Sequence, residues 1–448
     1  MVFNQLTLVH QLNSQADRLK DRPALWHRRA GRWQATSWRQ YAQRVRHLAL
    51  GLLSLGFGPG QTLLVLASSR EEWLVSALGA MAVGGRFLGV DPDSSPEQVA
   101  SMAADAGATM AVVEHQPMLA RVGPSLASAL GHIVLIEPAV DRSPRVSSFA
   151  EVLELGASGD DADFYACLGA LKGEEVAELA WERGAPRAVM LTHKNLAWTA
   201  AQLGKSFHVA AEDALVSQEP LSSITEQLAA VLVPVSTGAQ VYFGRGVVEE
   251  FLEVRPTLFF GGPRLWEALK ARSEEVLAEQ NRSLQGLLAK ARAVAKRAHL
   301  EFQRHQPTAV GLKSQYALAR RLALGPLKER LGLDRGRLFV ATAPVSRELL
   351  EYFASIDVVV AEAYGHPCVT GVASLSTPDA VKFGAQGRPM LGVEVRVEED
   401  GEVLVRGENV CAGYLNDEAA TQTLLRGGWL HTGDRGALDE EGFLTIAR

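Results

Sequence analysis

The sequence lacks the features that mark secreted, membrane-spanning and nucleic-acid-binding proteins. Its only cysteines, Cys167, Cys368 and Cys411, are widely spaced, which argues against a disulfide framework and fits a reducing cytoplasm. The first ten residues lack a basic stretch followed by an apolar core, so no signal peptide is predicted. The most apolar stretch, residues 74–90, is rich in glycine and interrupted by Arg86, which is not typical of a membrane span. A formal net charge of -6 gives no general attraction to nucleic acid, and we expect a soluble, cytoplasmic protein.

Short apolar runs alternate with helical patterns over most of the 448 residues. The run Leu63-Leu-Val-Leu-Ala67, for example, is typical of a strand that is covered on both faces. Such alternation predicts an α/β protein with largely parallel sheets. The end of the chain differs, because Val393–Val397 and Glu402–Arg406 alternate strictly around a hairpin turn at Glu399-Asp-Gly401. We therefore predict two doubly wound, mostly parallel α/β subdomains and a small C-terminal β-subdomain, with bounds at 1–175, 176–380 and 381–448.

Three segments carry further expectations. The acidic, Gly- and Ala-rich stretch Gly156–Glu182 is interpreted as a surface connection, and the apolar run Leu228–Val235 as a strand. The segment Leu277–Arg304 is predicted to be one long helix. One side of this helix is apolar, and the other carries Lys290, Arg292, Lys296 and Arg297. That basic side is either a solvated face of a packed helix or a surface for peripheral membrane contact.

Several segments, taken together and in order, resemble the adenylate-forming (AMP-binding) superfamily, and within it the long-chain fatty acyl-CoA synthetases. The segments are Val189-Met-Leu-Thr-His-Lys-Asn-Leu196, Pro220-Leu-Ser-Ser223, Val254-Arg-Pro-Thr-Leu-Phe-Phe-Gly-Gly262, Glu362-Ala-Tyr-Gly365, Gly387-Arg-Pro-Met390 and Gly428-Trp-Leu-His-Thr-Gly-Asp434. Enzymes of this family join a carboxylate to AMP and pass the acyl group to a thiol. The resemblance implies the N-terminal domain of such an enzyme.

The loop that wraps the phosphates in this family is altered in this sequence. The family pattern is rich in Gly, Ser and Thr and contains a lysine, whereas this chain has Trp181, Glu182, Arg183, Gly184 and, after Ala-Pro, Arg187. The hydroxyl donors are missing, and Glu182 would add a negative charge beside a triphosphate. A like-charge contact of this kind costs on the order of 4 kcal/mol at about 4 Å. Arg183 and Arg187 are candidates to compensate, and the alternative is an ordinary surface turn.

The position of the family's magnesium ligand is also changed. The family has Tyr-Gly-x-Thr-Glu, in which the glutamate binds Mg²⁺, whereas this chain has Tyr364-Gly-His-Pro-Cys368. Pro367 has no hydroxyl, and the thiol of Cys368 is a poor ligand for a cation that prefers oxygen. His366 and Cys368 alone do not make a zinc site. No metal site is predicted.

Other positions match the family and carry over as candidate binding residues. For the nucleotide they are Thr342, Ala343, Tyr364, Gly365 and Asp434, with Tyr364 against adenine and Asp434 on the ribose hydroxyls. Asp434 is alternatively a simple turn residue after a glycine. For the acyl group they are Ser223, Phe260, Gly261 and Gly262, with Ser223 in place of a family histidine. The acyl tunnel is expected to run beside residues 260–262 and 228–235.

The sequence also stops where the family continues into a mobile domain that carries a catalytic lysine. Either the sequence is a fragment or the natural protein lacks that domain. The leading hypothesis is a degenerate homologue that does not adenylate and for which no cofactor is predicted. It binds a fatty acid or fatty acyl-adenylate, or acts as partner to an active acyl-CoA synthetase. The second is an active ligase that uses ATP and Mg²⁺ with a separate C-terminal domain. The third is a structural scaffold that makes contacts through residues 290–297.

Overall fold

The fold is known from a computed structural model that describes residues 7–137, 144–181, 187–245, 248–303, 309–377 and 380–447. Its strands are β1 (Pro23–Arg29), β2 (Arg32–Ser37), β3 (Thr62–Leu66), β4 (Arg86–Val90), β5 (Ala108–Val113), β6 (His132–Leu135), β7 (Val146–Ser148), β8 (Val176–Trp181), β9 (Ala188–Thr192), β10 (Ala214–Ser217), β11 (Gln240–Phe243), β12 (Leu258–Gly261), β13 (Leu338–Ala341), β14 (Val360–Tyr364), β15 (Ser374–Leu375), β16 (Arg388–Pro389), β17 (Glu394–Val397), β18 (Glu402–Arg406), β19 (Leu430–Leu438) and β20 (Leu444–Ile446).

Helices connect these strands. They are α1 (Leu8–Leu19), α2 (Trp38–Ser54), α3 (Glu71–Ala82), α4 (Pro96–Asp105), α5 (Gln116–Val122), α6 (Pro124–Ala129), α7 (Phe149–Ala157), α8 (Asp161–Ala170), α9 (His193–Ser206), α10 (Ile224–Gln227), α11 (Val233–Thr237), α12 (Glu250–Val254), α13 (Pro263–Ala278), α14 (Arg282–Phe302), α15 (Val310–Ala319), α16 (Gly325–Leu331), α17 (Arg347–Ser355) and α18 (Glu418–Leu424). Residues 228–232 and 320–324 are π-helical, and residues 367–369 and 426–428 form 3-10 turns. Within the described ranges, no helix combines the length and the apolar character needed to cross a membrane.

The strands form three sheets. The first has the order β7-β6-β5-β3-β4-β8-β9 and is parallel except for the β8–β9 pair. The second has the order β16-β15-β14-β13-β12-β10-β11-β1-β2 and is parallel from β1 to β14. The third, β17-β18-β19-β20, is antiparallel and small. The predicted fold class, two mostly parallel α/β sheets and a small C-terminal β-sheet, is thus confirmed.

Both large sheets take strands from either side of residue 175. The strands β1 and β2 lie in the second sheet, whereas β8 and β9 complete the first. One buried core runs continuously from the first sheet through the second to the small sheet. The subdomain bounds at 175 and 380 stay a prediction.

Three local predictions were wrong. The run at 228–235 is helical, since its apolar residues are buried all round in the core and periodicity alone does not separate a buried strand from a buried helix. The stretch 156–182 is not a plain connection: Asp160 caps α8 through the Ala162 amide at 2.9 Å, and β8 follows. The long helix begins at Arg282 instead of Leu277, because the side chain of Asn281 accepts a hydrogen bond from the Leu284 amide and starts α14 there.

Candidate functional site

The carboxyl ends of four neighbouring parallel strands meet at one edge of the second sheet. These strands are β10, β12, β13 and β14, which stand side by side in the order β14-β13-β12-β10. The segments that leave them contain Ser223, Gly261 and Gly262, Thr342 and Ala343, and Gly365. In open α/β sheets this edge is where ligands bind. The fold therefore brings the predicted acyl and nucleotide residues together, with Asp434 arriving separately from β19.

On the acyl side, hydrogen bonds fix the end of β12. The carbonyl of Gly261 accepts hydrogen bonds from Trp266 Nε1 at 2.9 Å and from the Thr342 amide at 3.1 Å. Trp266 is fully buried among aromatic rings, which holds its indole in one orientation. Phe260 is also buried and meets Phe207 edge to face. The predicted acyl residues at the end of β12 thus stand next to the predicted nucleotide residues that follow β13.

A carboxylate that was not predicted from the sequence lies at this junction. A Cβ atom placed on Gly262 would be 3.1 Å from Glu219 Oε1 and 3.9 Å from Thr342 Oγ1. Glu219 precedes the Pro220-Leu-Ser-Ser segment, whose resemblance to the family drew attention to Ser223 alone. Ser223 itself is exposed at the start of α10. Glu219, and not Ser223, is therefore the residue of this segment that lies next to Gly262.

On the nucleotide side, Tyr364 and Asp434 are in direct contact. The Tyr364 hydroxyl donates a hydrogen bond to Asp434 Oδ2 at 2.6 Å. Burial, together with this bond to a carboxylate, raises the pKa of Tyr364 well above its usual value. The Asp434 amide donates to Thr432 Oγ1 at 3.1 Å, which fixes the turn. One carboxylate oxygen of Asp434 is therefore held by protein, and its role on a ribose stays a prediction.

Close packing explains the glycine after Tyr364. A Cβ atom on Gly365 would lie 2.4 Å from the carbonyl oxygen of Gly371 and 2.5 Å from Val372 Cα. Both neighbours are backbone atoms that cannot move aside cheaply. Gly365 thus allows the chain to turn back against residues 371–372 and sets the position of the segment that follows.

The thiol at the position of the family's magnesium ligand points into the core. Cys368 is 1% exposed and lies in the 3-10 turn Pro367–Val369. Its carbonyl accepts a hydrogen bond from the Cys411 amide at 2.9 Å. A hydrogen bond with the Cys411 side chain, together with burial, holds the pKa of Cys368 well above its usual value. The thiol is therefore neutral and enclosed.

The turn that carries Cys368 is tied to a neighbouring loop. Asn409 is fully buried, and its side-chain amide donates to the carbonyl of Val372 at 2.7 Å. Thr370 Oγ1 donates to the carbonyl of Asn409 at 2.7 Å. These bonds stabilise the turn in the arrangement that buries Cys368.

The donors present at this turn do not fit Mg²⁺. The ion requires oxygen ligands, and positions 367 and 368 provide a proline and a neutral thiol. Over the described ranges, no three His, Cys, Asp or Glu side chains come together as a metal-binding group.

The altered phosphate loop joins the antiparallel strands β8 and β9, which pair through Trp181 and Ala188. Glu182, Arg183 and Gly184 lie outside the described residues. Arg187 donates from Nε to Asp417 Oδ2 at 2.8 Å and stands over the Tyr414 ring at 5.6 Å. Asp417 therefore already neutralises this arginine in the structure, and its role as a phosphate partner stays a prediction.

Comparison with known proteins agrees with this fold and arrangement. The model of the family "AMP-binding enzyme" matches residues 12–162 and 183–415. The long-chain-fatty-acid–CoA ligase ACSBG2 of Gallus gallus is 28% identical over 98% of this chain and 60% of its own length, and ACSBG1 of Bos taurus is 30% identical over 98% and 63%. The benzoate CoA ligase of Burkholderia xenovorans LB400 superposes with a TM-score of 0.75 at 18% identity, over 99% of this chain and 80% of that one.

The fold is that of the N-terminal part of acyl-CoA ligases. The chain belongs to the AMP-binding enzyme family and is a homologue of the long-chain-fatty-acid–CoA ligases. It spans roughly 60% of the length of the first curated relatives that it matches.

Proposed function

We propose that this chain is a long-chain acyl-CoA synthetase homologue that binds a fatty acyl group and does not form the acyl adenylate. One observation carries the proposal: the residue at the position of the family's magnesium glutamate is Cys368, which is buried, neutral and hydrogen-bonded inside the core. An adenylation site must neutralise the charge that develops on a triphosphate, and metal ions normally provide most of that charge.

The residues at the end of β12 support the part of this proposal that concerns binding of a fatty acyl group. Phe260, Gly261 and Gly262 remain ordered at the end of a central strand, and Trp266 holds that strand end. The two relatives ACSBG2 and ACSBG1 named above are long-chain-fatty-acid–CoA ligases. A fatty acid, or a fatty acyl-adenylate made elsewhere, is therefore the ligand class that we propose.

The Gly262→Leu variant is expected to weaken fatty-acid binding at least tenfold. A side chain at this position would project toward Glu219 and Thr342, at the junction that the acyl carboxyl must occupy. Displacement of a fluorescent long-chain fatty acid by palmitate measures the affinity. Gly286→Leu is the matched control, because it adds the same side chain where no atom lies within 4 Å of the new Cβ.

Two results would count against the proposal. Equal affinity of the Gly262→Leu variant and the parent chain would place the acyl group elsewhere. Palmitate-dependent exchange of pyrophosphate into ATP by the parent chain would show that it adenylates.

A second candidate function is that of an active ligase that works with a separately supplied C-terminal domain. The contact between Tyr364 and Asp434 favours it, because the nucleoside half of the site keeps its family residues in one place. In that case Mg·ATP binds to this chain alone, since these nucleotide residues lie within it.

A further inference from the structure

The solvent-facing side of α15 exposes apolar side chains. Val310 is 81% exposed, Leu318 59% and Leu322 57%. Leu312 of α15 is buried, as are Ala323 and Leu324 of the π-helical residues 320–324 that follow. We use the name α15 surface for the exposed residues Val310, Lys313 and Leu318 of α15 together with Arg321 and Leu322 of the π-helical residues 320–324 that follow it. Exposed apolar side chains clustered on one helix face mark an interaction site more often than scattered ones do.

The charge of this region is opposite to that of the whole chain. Residues 309–328 contain Lys313, Arg320, Arg321 and Lys328 and no Asp or Glu. The wider segment 282–330 has eleven Lys or Arg and two Glu, in a chain with a net charge of -6. The positive charge is therefore concentrated around the α15 surface.

Two of these four cationic side chains form ion pairs within the domain. Arg320 and Lys328 both pair with Asp357, a nearly buried carboxylate that also accepts a hydrogen bond from Tyr316. These contacts anchor α15 and the turn that follows it. Lys313 and Arg321, by contrast, have no carboxylate partner among the residues that the structure describes.

The basic side of α14, which the sequence suggested as a contact surface, is largely occupied. Lys296 pairs with Glu351 at 2.8 Å, and Arg297 pairs with Glu301 at 3.3 Å. The Arg292 guanidinium lies over the Tyr352 ring at 4.9 Å and donates to Ser355. Most of these cationic side chains therefore make contacts within the domain. We take the α15 surface, and not the basic side of α14, as the candidate contact surface.

We infer that the α15 surface docks onto an anionic lipid bilayer. Apolar side chains that alternate with unpaired cations suit the interface of a membrane, where leucines enter the acyl boundary and cations meet phosphates. The absence of acidic residues from 309–328 agrees with a negatively charged partner. Nucleic acid would leave the exposed Val310, Leu318 and Leu322 in water. The inference does not depend on whether the chain adenylates.

Sedimentation of the full chain with lipid vesicles tests this inference. We expect binding to vesicles of phosphatidylcholine with about a third phosphatidylglycerol, weaker binding to phosphatidylcholine alone, and a decrease as salt screens the charges. The Leu318→Gln/Leu322→Gln variant is expected to bind at least tenfold more weakly. The Lys313→Gln/Arg321→Gln variant is expected to lose the preference for anionic vesicles.

The control is Leu155→Gln/Leu391→Gln, which changes two exposed leucines away from α15 and is expected to bind like the parent chain. Circular dichroism melting of each variant separates lost binding from lost folding. Absence of parent-chain binding to anionic vesicles would overturn the inference, as would equal loss in the control. Self-association of the parent chain without lipid, abolished by Leu318→Gln/Leu322→Gln, would assign the surface to a second copy instead.

Discussion

The Cys368→Glu variant is expected to lose about 2–5 kcal/mol of unfolding free energy, although it restores the family's residue at this position. Cys368 is 1% exposed, and its free thiol is hydrogen-bonded to the Cys411 side chain inside the core. A carboxylate there would be larger than the thiol and would be buried beside Cys411, and the neighbouring His366 imidazole would have to gain a proton to neutralise it. Urea denaturation at pH 7 measures the loss.

Two further variants show whether the loss of stability is specific to a carboxylate at position 368. Cys368→Ser keeps the size of the side chain and is expected to cost less than Cys368→Glu. Cys167→Glu introduces the same residue at a partly exposed cysteine on α8 and is expected to change stability by under about 1 kcal/mol. A Cys368→Glu variant as stable as the parent chain that also gains Mg²⁺-dependent ATP binding would mean that position 368 still faces a phosphate site.

The Glu178→Gln variant is expected to be more stable than the parent chain at neutral pH. Glu178 is buried on β8, where one oxygen accepts a hydrogen bond from Gln227 Nε2 at 2.8 Å. Its other oxygen has no hydrogen-bond partner among the described residues. Burial, only partly offset by the Gln227 bond, raises the pKa of Glu178 from 4.5 to about 8.

The direction of the pH dependence follows from this shift. Between about pH 4.5 and pH 8 the folded chain keeps a proton on Glu178 that the unfolded chain releases, so stability falls as pH rises through this window. Glutamine keeps the hydrogen bond from Gln227 and has no proton to lose. The expected gain is about 2–3 kcal/mol at pH 7 and under about 1 kcal/mol at pH 5.

Urea denaturation at the two pH values measures the gain. Glu154→Gln, at an exposed position on α7, is the control and is expected to show no such pH-dependent gain. Equal stability of Glu178→Gln and the parent chain at both pH values would mean that Glu178 is ionised in the folded protein.

Local patterns were enough to predict the central strands. The strand predicted from the run Leu63–Ala67 and the hairpin around residues 399–401 are present, because continuous or strictly alternating apolar residues specify them. The strand β1 was missed. Its pairing depends on distant residues: the Trp26 ring stacks on Tyr242 at 5.2 Å, and its indole nitrogen donates to Gln240. Contacts of this kind leave no periodic signal in the sequence.

The family resemblance selected candidate residues for the site, but it did not show how they pack. Tyr364, Gly365 and Thr342, which the family resemblance marked as nucleotide residues, lie at or just after the ends of the neighbouring strands β14 and β13, and their role in binding a nucleotide stays a prediction. The resemblance also marked Cys368 as a poor metal ligand, but it did not show that the thiol is buried and hydrogen-bonded to Cys411, which is distant in sequence. Glu219 was overlooked because it precedes the motif that drew attention. Contacts between distant segments decide these points.

Titration calorimetry of the intact chain tests the central claim, first with Mg·ATP and then with a non-hydrolysable long-chain acyl-AMP analogue. The account predicts that the analogue binds in the micromolar range, about -8 kcal/mol, because the acyl and nucleoside residues are assembled at one sheet edge. It predicts no heat from Mg·ATP, because the metal carboxylate is replaced by a buried thiol. Micromolar binding of Mg·ATP would contradict the claim and support an active ligase with a rebuilt phosphate site.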